Sequence, residues 1–166
     1  MINEYLNYLR NIRGLSENTT MGYEKDLHKF LKWIRANHQD ARWSTITRTH
    51  LDQFITELAE EGLKPASTNR ILSAISGLYG YMKRQGLDVE NPAKFESRRK
   101  VAKALPNTIP VEDLRRAYDH TTGAVHTMIG LLVTTGIRIQ ELLDLNWEDI
   151  DFKDHSLKIF GKGAKG

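Results

Sequence analysis

Residues 131–160, LLVTTGIRIQELLDLNWEDIDFKDHSLKIF, are followed directly by GKGAKG at 161–166, and this stretch decides how the rest of the chain is interpreted. Its apolar start predicts a helix that runs into a core. Arg138 and Glu141 are three residues apart, a spacing that places two side chains on one face of a short helix. The pattern in 156–160 predicts a strand that leads into a glycine turn with Lys162 at its tip.

An arginine on a helix and a lysine on a turn together suit a phosphodiester. A guanidinium donates to two phosphate oxygens at once, and an ammonium supplies a point charge or a proton to a third oxygen. Two plainer interpretations stay open: Arg138 as a structural arginine paired with Glu141, and GKG as an ordinary hairpin turn. The readings of Arg138 overlap, because an ion pair also orients the guanidinium.

The sequence TTGIRIQELLDLNWEDIDF with the later GKGAKG resembles the first catalytic box of the tyrosine recombinases, the phage-integrase and Xer group. In that family Thr-Gly-Leu-Arg, two residues and Glu-Leu are followed by Asp-Ile and later by Gly-Lys-Gly. The resemblance implies that Arg138 is the first catalytic arginine, Lys162 the hairpin lysine and Glu141 the acid that supports the arginine. Gln140 departs from the family pattern, in which serine is commoner.

The resemblance also implies a reaction and a partner. In these recombinases a tyrosine hydroxyl attacks DNA and leaves a 3′-phosphotyrosine and a free 5′-hydroxyl, with no metal or nucleotide cofactor. Arginines stabilise the negative charge on the phosphoryl oxygens, and the lysine protonates the leaving 5′-oxygen. The partner is then double-stranded DNA at a recombination core site, and the full-length protein is expected to form a tetramer on it.

Some parts of the family pattern are missing from these 166 residues. No His-x-x-Arg is present, and all six tyrosines precede Arg138. We therefore expect a chain that stops inside its catalytic domain and leaves an incomplete β-hairpin. We expect this 166-residue polypeptide to bind DNA as a monomer without recombining it.

The first 93 residues contain four amphipathic stripes at helical spacing. Gly14 is placed to end the first helix, Thr47 to cap the third and Pro65 to begin the fourth. Short connections between four such helices predict a small bundle. The stretches LSENTTMGYEKDLHKFLKWI and ASTNRILSAISGLYGYMKRQGLDVENPAK resemble the SAM-like core-binding domain of the same family, which clamps one side of a DNA duplex.

Polar residues cluster where the second and fourth helices begin. Small donors and free backbone N–H groups at a helix N-terminus suit phosphate oxygens. From this cluster and its neighbouring cations we predict DNA contacts by Thr19, Lys25, Ser67, Thr68, Asn69 and Arg70. The alternative is that Ser16 and Ser67 only cap their helices, which is a common role for serine.

Residues 94–106 are predicted to form a basic linker between two domains. Within it, 94–103 hold five Lys or Arg residues and one acidic residue. Because neutralised phosphates release counterions and give sequence-independent affinity, we predict DNA contacts by Arg98, Arg99, Lys100 and Lys103. The alternative is a solvated linker, in which such charge is normal.

The predicted fold is mainly α. Residues 1–93 form a four-helix SAM-like core-binding domain, 94–106 the linker, and 107–166 the first part of a truncated α+β catalytic domain. The chain has no cysteine, and its histidines do not have metal-ligand spacing, so we predict no metal site. No apolar run is long enough for a membrane span and no secretory signal is visible, and we expect a cytoplasmic protein.

Two other functions stay open at this point. One is a stand-alone helical DNA-binding regulator without a catalytic role. The other is a helical protein-interaction domain that does not bind nucleic acid. The second alternative predicts no retention on heparin or duplex DNA at low salt, and this distinguishes it from the DNA-binding functions.

Overall fold

A computed structural model of the protein describes residues 1–94 and 108–159. The chain divides into two compact units, unit 1 within Met1–Lys103 and unit 2 within Ala104–Gly166. Most of the predicted linker lies outside the described residues. The predicted domain boundaries therefore stay predictions.

Unit 1 is a bundle of four α-helices: α1 (Ile2–Asn11), α2 (Glu17–Asn37), α3 (Arg48–Glu60) and α4 (Pro65–Arg84). Helix α2 packs against the other three, and α1 also packs against α4. The four-helix fold predicted from the apolar stripes is confirmed.

A single apolar core holds this bundle together. Phe30 and Phe54 are fully buried, and their ring centroids lie 5.1 Å apart in a tilted arrangement. Tyr79 is also fully buried, and its hydroxyl donates a hydrogen bond of 2.9 Å to the carbonyl oxygen of Trp43. The bundle thus buries large aromatic surfaces without leaving the polar end of Tyr79 unsatisfied.

The starts of α3 and α4 follow different rules. The Thr47 N–H donates to Nδ1 of His50 over 3.1 Å, so the third helix begins with a capping box as well as the predicted threonine. Helix α4 begins at Pro65, with Lys64 as its N-cap. Ser67 therefore lies inside the first turn, and its interpretation as an N-cap is wrong, because the proline already fixes the helix start.

Unit 2 is smaller and mixed. Its elements are α5 (Val111–Asp119), α6 (Gly123–Thr135), α7 (Ile139–Leu143), a 3₁₀ turn (Trp147–Asp149), β1 (Ile150–Asp151) and β2 (Ser156–Leu157). Helix α6 packs against α5 and α7. The two strands pair antiparallel, with Ile150 opposite Leu157 and Asp151 opposite Ser156. The predicted combination of helices and a β-hairpin is confirmed.

One prediction about the hairpin is corrected. The strand predicted at 156–160 already has a partner within the described residues, namely β1 at Ile150–Asp151. The sequence pattern missed β1 because two residues are too few to show an alternation. Lys162 and the turn predicted around it lie outside the described residues.

The predicted core of unit 2 is also corrected. None of the residues of α6 is buried, and Val133 has 55% of its surface exposed. In α7, Leu142 is buried, whereas the adjacent Leu143 is 58% exposed. A five-residue helix has fewer than two turns, and adjacent residues on it point about 100° apart. The two leucines therefore cannot both face inwards.

Candidate functional site

A short turn between α6 and α7 presents Arg138. Gly136 ends α6 with φ of +68°, a left-handed conformation that suits glycine. Ile137 is buried beside it and anchors the turn. Arg138 is then the N-cap residue of α7, so it precedes the helix instead of lying on its face as the spacing predicts.

Glu141 holds Arg138 at two points. Its Oε2 accepts the backbone N–H of Arg138 over 3.0 Å, and its Oε1 accepts a hydrogen bond of 2.6 Å from Nη1 of the guanidinium. These two bonds, the backbone one first, lower the pKa of Glu141, so the carboxylate stays ionised. The predicted pairing of the acid with the arginine is therefore present in the structure.

The guanidinium of Arg138 remains available to an external anion. Its side chain is 80% exposed, whereas that of Glu141 is only 13% exposed. Within residues 1–94 and 108–159, Nε and Nη2 of Arg138 have no hydrogen-bond acceptor. A fixed guanidinium whose Nε and Nη2 donors are both unused is suited to bind two oxygens of one phosphate along that edge.

Lys162 lies outside the described residues, as does the rest of GKGAKG. The chain that leads towards it is ordered by one bond beyond β2, from the Lys158 N–H to the Asp149 carbonyl oxygen at 2.8 Å. The role of Lys162 stays a prediction from the sequence.

The residues of unit 1 that are predicted to contact DNA differ in how exposed their side chains are. Thr19 and Lys25 are exposed on α2, and Ser67 and Asn69 are partly exposed on the first turns of α4. The Thr19 hydroxyl lies 2.9 Å from the hydroxyl of Ser16. These four side chains are accessible to a ligand.

Thr68 is different, and the prediction for it is corrected. Its side chain is fully buried, and its hydroxyl donates weakly to the Lys64 carbonyl oxygen over 3.5 Å. A residue enclosed by the bundle cannot reach a phosphate outside it. Thr68 is a packing residue at the start of α4.

Arg70 is held by a residue that the sequence pattern did not reveal. Its Nε donates to Oδ2 of Asp26 over 2.8 Å, and its Nη2 donates to Oδ1 over 3.0 Å. The carboxylate of Asp26 is buried, and its hydrogen bond raises the pKa of Arg70 further. Since 52% of the Arg70 side chain is exposed, Nη1 is still accessible. The arginine is fixed in orientation and not hidden.

The sequence feature that could have revealed the role of Asp26 is its position. It directly precedes Leu27 on the apolar stripe of α2, and a buried carboxylate requires a charged or hydrogen-bonding partner. The identity of that partner, 44 positions away, cannot be read from spacing. Tertiary packing alone brings the two together.

Arg98, Arg99, Lys100 and Lys103 lie outside the described residues, and their DNA contacts stay predictions. Among the residues that the structure describes, no group of three or more His, Asp or Glu side chains is arranged to hold a metal ion. None of the helices described has the length and apolar character needed to cross a membrane.

Comparison with known proteins identifies the class to which this fold and site belong. Residues 2–86 match the family model described as phage integrase, N-terminal SAM-like domain, and residues 107–166 match the model of the phage integrase family. The chain therefore belongs to the phage integrase family, the tyrosine recombinases.

Particular relatives within this family are Xer proteins. Tyrosine recombinase XerC of Pseudomonas putida is 33% identical over 170 aligned positions, which cover 97% of this chain and 56% of that protein. Tyrosine recombinase XerD of Oceanobacillus iheyensis is 29% identical over 169 positions, covering 99% of this chain and 57% of the relative. The chain thus spans a little over half the length of these curated relatives.

A solved structure of XerA recombinase also aligns with the chain. It covers 93% of this chain and 54% of that one, with 19% sequence identity and a TM-score of 0.42.

Proposed function

We propose that this chain is the DNA-binding portion of a site-specific tyrosine recombinase, which cleaves and rejoins DNA strands through a 3′-phosphotyrosine. In the whole protein, Arg138 stabilises the charge on the phosphoryl oxygens and Lys162 protonates the leaving 5′-oxygen. Glu141 keeps Arg138 oriented. Family membership supports this proposal, as do the relatives named tyrosine recombinases.

The strongest support for this proposal is that the guanidinium of Arg138 is both anchored and exposed. A structural arginine would have its donors satisfied by the protein, but this one is tied at Nη1 and 80% exposed. Such a group is preorganised, so it costs little reorganisation when charge develops on a phosphate. A solvated surface arginine without Glu141 would lose side-chain entropy on binding.

Unit 1 supplies the sequence-independent part of DNA binding in this proposal. Lys25 is exposed on α2, and Arg70 is fixed by Asp26 with Nη1 accessible. The basic residues of 94–103 add further cations along the chain. Each phosphate that these cations neutralise makes binding more sensitive to salt.

DNA binding is tested by fluorescence anisotropy of a labelled duplex at several salt concentrations. We expect Lys25→Gln to weaken binding and to reduce the slope of log K against log salt by about one, as for the loss of a single phosphate contact. Replacing Arg98, Arg99, Lys100 and Lys103 together by Gln should reduce the slope further.

The matched control for Lys25→Gln is Arg35→Gln, on the last turn of the same helix α2, and it should leave the slope unchanged. Equal slopes in all variants would contradict the proposal.

Catalysis is tested on two proteins with a radiolabelled duplex and denaturing electrophoresis. The 166-residue chain should give no covalent adduct, because no tyrosine follows Arg138, and Tyr5 and Tyr79 are buried. In a full-length protein, Arg138→Ala should lower cleavage by about 100-fold or more, the usual effect of losing a transition-state donor. Glu141→Gln should have a smaller effect, because the guanidinium remains. An adduct on the 166-residue chain would overturn the assignment of its inactivity.

We propose further that the full-length protein is a tetramer on DNA in the cytoplasm, whereas the 166-residue chain is a monomer. Light scattering of the chain alone, and of the full-length protein with a duplex core site, distinguishes these states. A dimer or larger assembly of the isolated chain would contradict this part.

A further inference from the structure

A cleft of about 230 Å³ opens on unit 1 between α1, α2 and α4. Its polar lining combines two guanidinium groups, three phenols and one hydroxyl, from Arg13, Arg84, Tyr5, Tyr8, Tyr23 and Ser73. No carboxylate is among the described residues that line it. The volume is several times the ~30 Å³ share of a water molecule, so the cleft has room for a small ligand.

Tyr5 lines this cleft and adds a hydroxyl donor to its wall. The residue is only 3% exposed, yet its hydroxyl has no hydrogen-bond partner within residues 1–94 and 108–159. The hydroxyl lies against Gly77, where an added Cβ would overlap it. Burial raises the pKa of Tyr5 to about 12, so the phenol keeps its proton and can donate it to an acceptor.

The two arginines of the cleft are not neutralised by the protein. Neither Arg13 nor Arg84 has a carboxylate partner among the described residues. The Arg84 guanidinium carbon lies 4.7 Å from the ring centroid of Tyr8, and this cation–π contact orients its head group. Stacking on a ring face leaves the N–H donors at the guanidinium edge available.

We propose that this cleft binds a phosphate group, with Arg13, Arg84 and the Tyr5 hydroxyl as donors. Two uncompensated cations and a buried neutral donor match the charge and the several acceptor oxygens of that anion. The inference does not depend on the proposed recombinase function. The phosphate belongs either to a DNA backbone or to a small free phosphoanion, and these two sources share the same chemistry.

The test uses the 166-residue chain and inorganic phosphate as the probe. Backbone amide shifts in ¹H–¹⁵N NMR spectra are followed against phosphate, with chloride adjusted to hold the ionic strength constant. We expect saturable shifts at Tyr5, Gly77 and Arg84. Arg84→Gln should weaken phosphate binding by roughly tenfold, the scale of one lost charge-assisted hydrogen bond. Tyr5→Phe removes only the hydroxyl and should also weaken binding while circular dichroism stays unchanged.

Arg35→Gln is the charge-matched control, because Arg35 lies on α2 outside the cleft. If its phosphate affinity equals that of the wild type while Arg84→Gln is weaker, the site is supported. The absence of saturable shifts, or equal losses in Arg84→Gln and Arg35→Gln, overturns it.

A second titration with duplex DNA distinguishes the sources. If inorganic phosphate competes with DNA and Arg84→Gln lowers DNA affinity, the cleft takes a backbone phosphate. If Arg84→Gln has a lower affinity for phosphate but an unchanged affinity for DNA, the cleft binds a free phosphoanion. Failure of DNA binding alone counts against the proposed function and leaves the phosphate result valid.

Discussion

The two units differ in how they bury their apolar residues. In unit 1 all four helices contribute to one core, and side chains such as Phe30 and Leu51 are completely buried. Among the described residues of unit 2, only Ile137 and Leu142 are buried apolar residues. Those two lie on either side of Arg138. The best-packed part of unit 2 is therefore the turn that positions Arg138.

The other apolar side chains described in unit 2 are partly buried or exposed. Val111 is 67% exposed, Trp147 80% and Phe152 67%. Apolar side chains that stay exposed contribute little to the stability of the unit itself. Unit 1 is thus a bundle stabilised by its own core, whereas the internal packing of unit 2 is concentrated at one turn.

Truncating one apolar side chain in each unit tests this difference in burial and gives the largest expected effect. Phe30→Ala removes a fully buried ring that packs on Phe54 and should lower the free energy of unfolding by about 3–5 kcal/mol. Val133→Ala, at a half-exposed position of α6, should change it by less than about 0.5 kcal/mol. Urea unfolding in a Trp147→Phe background checks Phe30→Ala, because Trp33 and Trp43 then report on unit 1 alone, and hydrogen exchange of the α6 amides checks Val133→Ala in unit 2.

Equal effects of the two truncations would mean that unit 2 has a core comparable to that of unit 1. The difference in burial would then have no energetic counterpart. The Trp147→Phe background also needs its own control, a denaturation curve that matches the wild type when followed by circular dichroism.

A close approach of α1 to α4 gives the next largest effect. Gly77→Ala places a methyl group against the Tyr5 hydroxyl, and such overpacking should cost about 1–3 kcal/mol. Gly80, one turn further on the same helix, has open space around its Cβ position. Gly80→Ala should therefore stabilise unit 1 by about 0.5–1 kcal/mol through helix propensity.

Combining Gly77→Ala with Tyr5→Phe sharpens this prediction. The second change removes the clashing oxygen, so the double variant should recover part of the lost stability. Thermal unfolding of the two single variants and the double variant measures the coupling. Additive losses would show that the glycine is not required by the Tyr5 hydroxyl.

The contrast between the units also explains what could be predicted from the sequence. The helices of unit 1 carry long apolar stripes because each faces a shared core, and those stripes predict the fold. In unit 2 the family motif identifies Arg138 and Glu141, but the two-residue strand β1 leaves no periodic pattern. Contacts such as Arg70 with Asp26 join distant positions, and only packing reveals them.

Thr68 is a residue for which the sequence suggests a contact that the structure contradicts. Its polar side chain at a helix start predicts a ligand contact, yet the same position faces into the bundle. Composition near a helix N-terminus does not specify which way each side chain points. His50 is similar, because capping boxes usually carry Glu or Gln at the third helical position, and a histidine there is not recognised as a cap partner.

His50 makes the stability of unit 1 depend on pH. Burial first, and then the nearby ring of His38 at a centroid distance of 4.2 Å, lower the pKa of His50. The unfolded chain therefore binds a proton more readily than the folded one, so stability is complete above histidine's ordinary pKa of 6.5 and falls as the pH drops below it. Protonation also removes the acceptor at Nδ1 for the Thr47 N–H, a cap bond of about 1 kcal/mol.

Urea midpoints measured across this pH range check the dependence. His50→Gln keeps an acceptor at the capping position and cannot be protonated, so its profile should be flatter below the ordinary histidine pKa. His28→Gln, at an exposed position on α2, is the control and should retain the wild-type fall. A wild-type slope in His50→Gln would assign the effect to another group.

The smallest expected effect concerns backbone strain, which the units also handle differently. In unit 1 the described residues with positive φ are glycines, such as Gly62 at +79°, whereas the hairpin turn of unit 2 places His155 at +49°. A left-handed side chain costs about 1–2 kcal/mol, and glycine adds about 0.5–1 kcal/mol of unfolded-state entropy. His155→Gly should therefore stabilise the hairpin by about 0.5–1 kcal/mol, whereas Gly62→Ala should destabilise unit 1.

Slower hydrogen exchange of the Lys158 amide, which bonds to the Asp149 carbonyl oxygen, reports the gain in hairpin stability. Faster exchange in His155→Gly would show that the histidine side chain stabilises the turn more than its backbone strain costs.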